Sequence, residues 1–183
     1  MRKVIAAINM TVDGYCDHTA VDADDETHRH YQELLETADT IVYGRITFQL
    51  MQFWENLIKN PSGNPALDEF ARVIDNIPDK VVFSRTRNHV GWRNSRIANQ
   101  NLEDEILELR KKPGRNILIG SRSLIIQALN KGLVDEFQLC IHPVIAGKGL
   151  PLFSDIDRGV HFKLTNTKTF GGGAVVCYYD TTN

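Results

Sequence analysis

Three short segments of this sequence combine small residues with hydroxyl or guanidinium side chains at points where an apolar run gives way to a helical pattern. In Ile119-Gly120-Ser121-Arg122-Ser123-Leu124, Gly120 and Ser121 leave the backbone open, and the first N–H groups of the following helix face outward with the positive end of its dipole. That is a cradle for a diphosphate. Tyr43-Gly44-Arg45-Ile46-Thr47 repeats the arrangement, with a guanidinium that can grip phosphate through two N–H groups and a hydroxyl at Thr47. Ser84-Arg85-Thr86, just past the apolar Val81-Val82-Phe83, offers hydroxyls and a guanidinium for one more phosphate. Any of these alone reads as an ordinary surface turn, with Ser121 as a simple helix cap. None is a full Gly-x-Gly-x-x-Gly or a P-loop with its Lys. Three together at C-terminal strand ends, where open α/β sheets take ligands, point to one phosphorylated cofactor.

The acid–base candidates are carboxylates. Asp13 closes the first apolar segment, where it can orient a polar ring or relay a proton, and it reads equally as half of an Asp-Gly turn. Asp24, Asp25 and Glu26 are alternatives, although at a helix start they serve the dipole. Asn9, Trp54 and Pro143 are expected in the pocket wall, Trp54 being as well suited to core packing. His28 and His30 stand two apart and so point to different helix faces, and no metal site is expected. Cys16 near His18 lacks an orienting third group. There is no Gly-x-Ser-x-Gly elbow, and no zinc-deaminase pattern of His-x-Glu with Cys-x-x-Cys.

The elements that must hold these groups alternate. Lys3 to Met10 reads as a buried strand ending at Val12-Asp13-Gly14. A helix from Asp24 carries Tyr31, Leu34, Leu35 and Ala38, and a strand follows from Thr40 to Tyr43. Arg45 onward is helical, with Ile46, Leu50, Phe53 and Trp54 sharing one face. Beyond the loop Asn60 to Pro65 come a helix with Leu67, Phe70, Ala71 and Ile74, the strand Val81 to Phe83, and a weaker extended stretch near Trp92. A helix with Leu102, Ile106 and Leu109, the strand Asn116 to Ile119, and a helix with Leu124, Ile125, Ala128 and Leu129 closed by Gly132 complete the alternation. Phe137, Leu139 and Ile141 then alternate with Gln138, Cys140 and His142, the pattern of a half-exposed strand suited to an interface. Val160 to Thr169 and Ala174 to Tyr179 form a hairpin about Gly171-Gly172-Gly173. The reading is α/β: a mixed, mainly parallel sheet with helices on both faces and an antiparallel hairpin at its end.

Composition bounds the partners. The 183 residues suit a single domain over 1–183, and 21 Lys and Arg against 23 Asp and Glu leave a net charge of −2, so no nucleic acid is expected as a ligand. Apolar stretches are strand-sized, too short for a membrane span or a signal segment. Three separate cysteines, Cys16, Cys140 and Cys177, fit a reducing cytoplasm.

With these residues in place the sequence resembles the dihydrofolate reductase-like superfamily, in the branch of the reductase domain of bacterial riboflavin biosynthesis and its stand-alone relatives. The likeness runs through Val12-Asp13-Gly14, Gly44-Arg45-Ile46-Thr47-Phe48, Phe83-Ser84-Arg85 and the Gly120 turn. It is most specific from Gly132-Leu133-Val134-Asp135-Glu136 to His142-Pro143-Val144-Ile145-Ala146-Gly147-Lys148-Gly149-Leu150-Pro151-Leu152-Phe153. The resemblance implies a three-layer fold and an NADPH-dependent reductase of a small cyclic or carbonyl-containing substrate, pterin- or pyrimidine-like, acting as a homodimer. It implies Arg45 and Thr47 on phosphates, Ser84 and Arg85 near the adenosine 2′-phosphate, and Gly120, Ser121, Arg122, Ser123 and Leu124 on the diphosphate. Ser121 departs from the family, where a second glycine is usual. Two alternatives remain: a non-catalytic nucleotide-binding protein with the same fold, and a true dihydrofolate reductase.

Overall fold

The computed structural model of the protein describes residues 1–86 and 88–181. Along the chain run β1 (Val4–Thr11), α1 (Asp25–Glu36), β2 (Ala38–Gly44), α2 (Arg45–Lys59), α3 (Pro65–Asn76), β3 (Asp79–Phe83), β4 (Ser95–Ile97), α4 (Leu102–Lys111), β5 (Asn116–Ile119), α5 (Arg122–Asn130), β6 (Glu136–His142), β7 (Phe162–Thr169) and β8 (Val175–Thr181). The strands form one eight-stranded sheet in the order β4-β3-β2-β5-β1-β6-β8-β7. β1 pairs in parallel with β5 and β6, β2 with β3 and β5, and β3 with β4. β8 runs antiparallel to both β6 and β7 and so carries the sheet to its edge as a hairpin.

Each central strand feeds two cores. Val4 and Ala6 of β1, Val42 of β2 and Ile117 and Ile119 of β5 pack beneath α4 and α5 with Ile106, Leu109, Ile125 and Ala128. Their neighbours Ile5, Ala7, Ile41, Tyr43 and Leu118 pack beneath α1, α2 and α3 with Leu34, Phe48, Phe70 and Ile74. Burial on both faces is why these strands read as unbroken apolar runs. It also aligns the C-terminal ends of β1, β2, β3, β5 and β6 along one side of the sheet, where the chain turns back.

Of the face shared by Ile46, Leu50, Phe53 and Trp54 in α2, the first three are 65%, 36% and 55% exposed, and Phe48 is the buried residue of that helix. Apolar residues line more than one side of α2, and periodicity alone does not say which side the sheet takes. One expectation is corrected: β6 is not half-exposed, since Gln138, Cys140 and His142 are buried opposite Phe137 and Leu139. β6 lies between β1 and β8, with α1 over its polar side, so it is no interface strand. The sheet's edge strands are β4 and β7, and on β7 Leu164 is exposed. The extended stretch expected near Trp92 is β4, and Trp92 itself is a buried ring just ahead of it.

Candidate functional site

The starts of α2 and α5 lie side by side, because β2 and β5 are neighbours. Ser121 joins them: its Oγ accepts the Gly44 N–H at 2.8 Å, and its side chain is buried. Both helix starts are bare. Asp24 caps α1 through Thr27 N–H, Asn64 caps α3 through Ala66 N–H and Asn101 caps α4 through Asp104 N–H, whereas neither α2 nor α5 has a capping side chain. The first turns of α1, α3 and α4 also carry acidic residues, and those of α2 and α5 carry none. Uncapped N–H groups and an unopposed dipole end are the requirements for holding an anion. Gly120 fits this use, since a Cβ there would meet nothing nearer than Tyr43 at 4.0 Å. The protein itself leaves that space open for close approach to the backbone.

The predicted phosphate ligands divide. Arg45 is half-buried, and among the described residues its guanidinium bonds the neutral Gln49, at 3.1 Å, and no carboxylate. Thr47 lies one turn into the same helix. Ser84 and Arg85 follow the end of β3, Ser84 Oγ accepting the Thr86 N–H at 3.2 Å and Arg85 exposed. Ser123 is exposed, with its Oγ 3.7 Å from where a Gly44 side chain would begin. Arg122 and Leu124 serve differently from the expectation. The Arg122 guanidinium is taken by Pro151 O at 2.7 Å, Ser154 Oγ at 2.5 Å and Asp155 at 2.6 Å, which ties α5 to the loop after β6. Leu124 is buried in the core and its N–H bonds to Ser121 O, so it anchors the helix start.

The long glycine-rich motif forms a second structure at the ends of β1 and β6. Asp13 accepts Ala146 N–H at 3.1 Å and Gly147 N–H at 2.7 Å, and Thr11 Oγ donates to it at 2.6 Å. Asp17 accepts Leu150 N–H at 2.5 Å, and a Cβ on Gly149 would lie 2.1 Å from that carboxylate. Gly147 and Gly149 also take φ of +73° and +146°, which side chains disfavour. The Thr11 hydroxyl and the two loop amides hold the Asp13 carboxyl below its usual range. Asp13 is therefore a loop clamp with no proton to give, and its surroundings do not favour the acid role expected of it.

Beside this clamp a cavity of about 280 Å³ opens between the 19–24 segment, the end of β6 and the start of β8. Thr19, Asp22, Asp24, His142, Pro143 and Gly172 line it. Asn9 sits behind the wall, accepting from Tyr31 Oη at 2.9 Å and from His142 Nε2 at 3.0 Å. Trp54 is elsewhere, tilted against Phe70 with ring centroids 4.5 Å apart and edge-on to His28 at 5.8 Å between helices. His30 turns instead toward Tyr31, Phe170 and Tyr178. Sequence reading missed Tyr31 as a polar partner, because its helical spacing marked it only as core, and passed over His142 inside a motif. A second cavity, about 230 Å³ with Leu129, Val134 and Arg158 in its wall, lies near the start of β6, at the other end of the strands. The turns at β3, β2 and β5 and the β6 cavity span four strand spacings, about 19 Å along one side of the sheet.

An open α/β sheet with a crevice at its C-terminal strand ends and bare helix starts beside it defines a class of ligand-binding α/β proteins. Within that class the model of the RibD C-terminal domain matches residues 2–176, and the chain belongs to that family, with a dihydrofolate reductase-like fold. The chain is 35% identical over 182 residues to uncharacterized protein YyaP of Bacillus subtilis (strain 168), covering 97% of this chain and 94% of that one. The fold is shared with a putative riboflavin biosynthesis protein from Shewanella sp. PV-4, with TM-score 0.75, 20% identity and 99% of both chains covered. It is shared too with dihydrofolate reductase from Enterococcus faecalis complexed with NADP(H), with TM-score 0.64, 15% identity, and 99% and 97% covered. No helix among the described residues is long and apolar enough to cross a membrane.

Proposed function

We propose that the protein is an NADPH-dependent reductase of a small cyclic or carbonyl-containing substrate. The observation that carries this reading is the pair of bare helix starts at Gly44 and Ser121, joined by one hydrogen bond in a protein whose three other helices are capped. The NADP(H) bound to the Enterococcus reductase of the same fold supports the choice of cofactor. The amides at the α5 start and the open face of Gly120 hold the diphosphate, Arg45 and Thr47 an adjoining phosphate, and Ser84 and Arg85 the 2′-phosphate. When bound, the cofactor supplies a hydride and leaves oxidised, and the substrate atom next to the hydride-accepting carbon takes a proton. The chain's own part is to align the two reactants and keep bulk water from between them. The clamped 144–150 loop does the second, walling the β1–β6 end of the crevice. Asp13 and Asp24 are both held ionised, Asp24 by the Thr27 hydroxyl and amide first, so neither is a reservoir for the proton.

Titrating NADPH with nicotinamide fluorescence as readout is expected to give saturable binding, and its absence at millimolar cofactor overturns the reading. Arg45→Ala should weaken NADPH by about tenfold, the worth of one charge-assisted phosphate contact. Arg85→Ala should weaken NADPH while leaving NADH unchanged, and an equal loss for both would remove Arg85 from the 2′-phosphate. The reading extends to a homodimer, paired along the hairpin edge strand β7. Light scattering that returns a monomer overturns that part alone.

A further inference from the structure

The serine at the start of α5 stands where a capping side chain belongs, and it does not cap. Ser121 precedes the first helical turn with extended backbone, and its carbonyl accepts Leu124 N–H at 3.0 Å and Ile125 N–H at 2.8 Å. A serine there ordinarily turns its hydroxyl oxygen onto an amide of that turn. Here the side chain reaches across to the end of β2 instead, and Oγ accepts Gly44 N–H at 2.8 Å. Arg122 N–H and Ser123 N–H are left without a partner among the described residues.

A backbone amide only donates, so the bond to Gly44 uses a lone pair of Oγ and leaves the hydroxyl proton unspent. Ser121 is 2% exposed, and among the described residues no acceptor takes that proton. A buried donor without an acceptor is costly in the free protein, and a ligand oxygen removes the cost. Room for one lies beside Gly44. The point that a Gly44 Cβ would occupy is 3.7 Å from both Ser121 Oγ and Ser123 Oγ, so two hydroxyls border the space that the missing side chain leaves. The surroundings favour an anion: neither Asp nor Glu occurs from Thr40 to Trp54 or from Asn116 to Asn130, the segments that carry the two helix starts.

We propose that Ser121 is a phosphate donor aimed by the neighbouring strand: Gly44 N–H occupies a lone pair of Oγ, and the hydroxyl proton joins Arg122 N–H and Ser123 N–H as a third donor to the cofactor diphosphate. The same hydroxyl links the anion to α2. An acceptor on its proton makes Oγ a better acceptor in turn, so the Gly44 bond tightens when the anion binds and both helix starts answer to one ligand. Naming the cofactor rests on the reductase reading; the donor set needs only a diphosphate.

Inorganic pyrophosphate is therefore the probe, titrated into the wild-type protein with calorimetry and the Gly44 amide resonance as readouts. Binding should move the Gly44 proton downfield and slow its hydrogen exchange. An unmoved Gly44 amide at saturation overturns the proposal, as does a lack of pyrophosphate binding, and neither result needs a variant. Ser121→Ala should lose about tenfold in affinity for pyrophosphate and for NADPH, the worth of one charge-assisted hydrogen bond. Its amide spectrum shows whether it is folded, and the wild-type titration decides the matter if it is not. Ser121→Gly, which supplies the residue usual in the family, should lose as much. Equal or tighter binding by that variant means that the serine merely stands in for glycine, and overturns the proposal. NADPH that binds wild type and Ser121→Ala equally overturns it too and leaves the reductase reading intact. Pyrophosphate binding that depends on Ser121 in a protein that takes no NADPH overturns the reductase reading alone.

Discussion

At the scale of single residues, what a side chain does is set by the partners that occupy it. Asp13 and Arg122 both have the types expected of active-site groups, yet the first is filled by Thr11, Ala146 and Gly147 and the second by Pro151, Ser154 and Asp155. Both hold the loop after β6 in place. Asp13→Ala should release the Ala146 and Gly147 amides, read as faster hydrogen exchange at those two positions with the rest of the sheet unchanged. The pH dependence follows from the lowered pKa of Asp13, caused first by the Thr11 hydroxyl. A depressed carboxylate stabilises fully above the ordinary carboxylate range and loses that contribution as pH falls through its folded pKa. Wild-type exchange at these amides should therefore approach that of Asp13→Ala in acid. Protection that persists in the variant would show that the clamp is elsewhere.

At the scale of elements, helix capping separates the architecture from the site. Asp24, Asn64 and Asn101 complete α1, α3 and α4, while α2 and α5 begin without such a group. A protein selected for stability alone would cap them. Gly44 shows the trade directly: its φ is −75°, and a Cβ there would make only ordinary contacts, with Ser121 and Ser123 at 3.7 Å. Gly44→Asp should stabilise the free protein by about 1 kcal/mol, a rise of roughly 2–4 °C in Tm, by capping α2. The same carboxylate occupies the anion site, so NADPH affinity should fall by about tenfold or more. A variant that gains stability and keeps its affinity would separate the α2 start from the cofactor. The helices and strands themselves were legible, because a doubly covered sheet imposes apolar strand runs and one apolar stripe per helix. The side of α2 that meets the sheet was not, because Ile46, Leu50 and Phe53 form as good a stripe as the one holding Phe48.

At the scale of the whole molecule, one buried group links the hairpin to the helical layer. His30 on α1 lies against Tyr31, Phe170 and Tyr178, with Tyr178 Oη 3.5 Å from its Nδ1, and Lys168 and Glu33 nearby. Burial, with Lys168 adding, lowers its pKa from the ordinary 6.5 to about 4. The folded state therefore keeps the ring neutral, while the unfolded chain takes up a proton as pH falls through 6.5. Stability from this site should be full above pH 6.5 and decline toward pH 4, seen as a falling Tm that flattens in His30→Gln. An acid dependence unchanged by that substitution would place the sensitive group elsewhere. The sequence by itself determined the α/β alternation, the hairpin about Gly171 to Gly173, the strand-end turns at Gly44, Ser84 and Gly120, and the family, since propensity, periodicity and motif are local properties of the chain. Only the tertiary structure decided that Arg122 and Asp13 are spent on a loop, that β6 is interior, and that Asn9, Tyr31 and His142 share one oxygen. Those facts depend on which distant residue arrives at hydrogen-bonding distance, and 133 positions of chain separate Asn9 from His142. The parallel register of β1 on β6 brings them together, and no local pattern encodes that meeting.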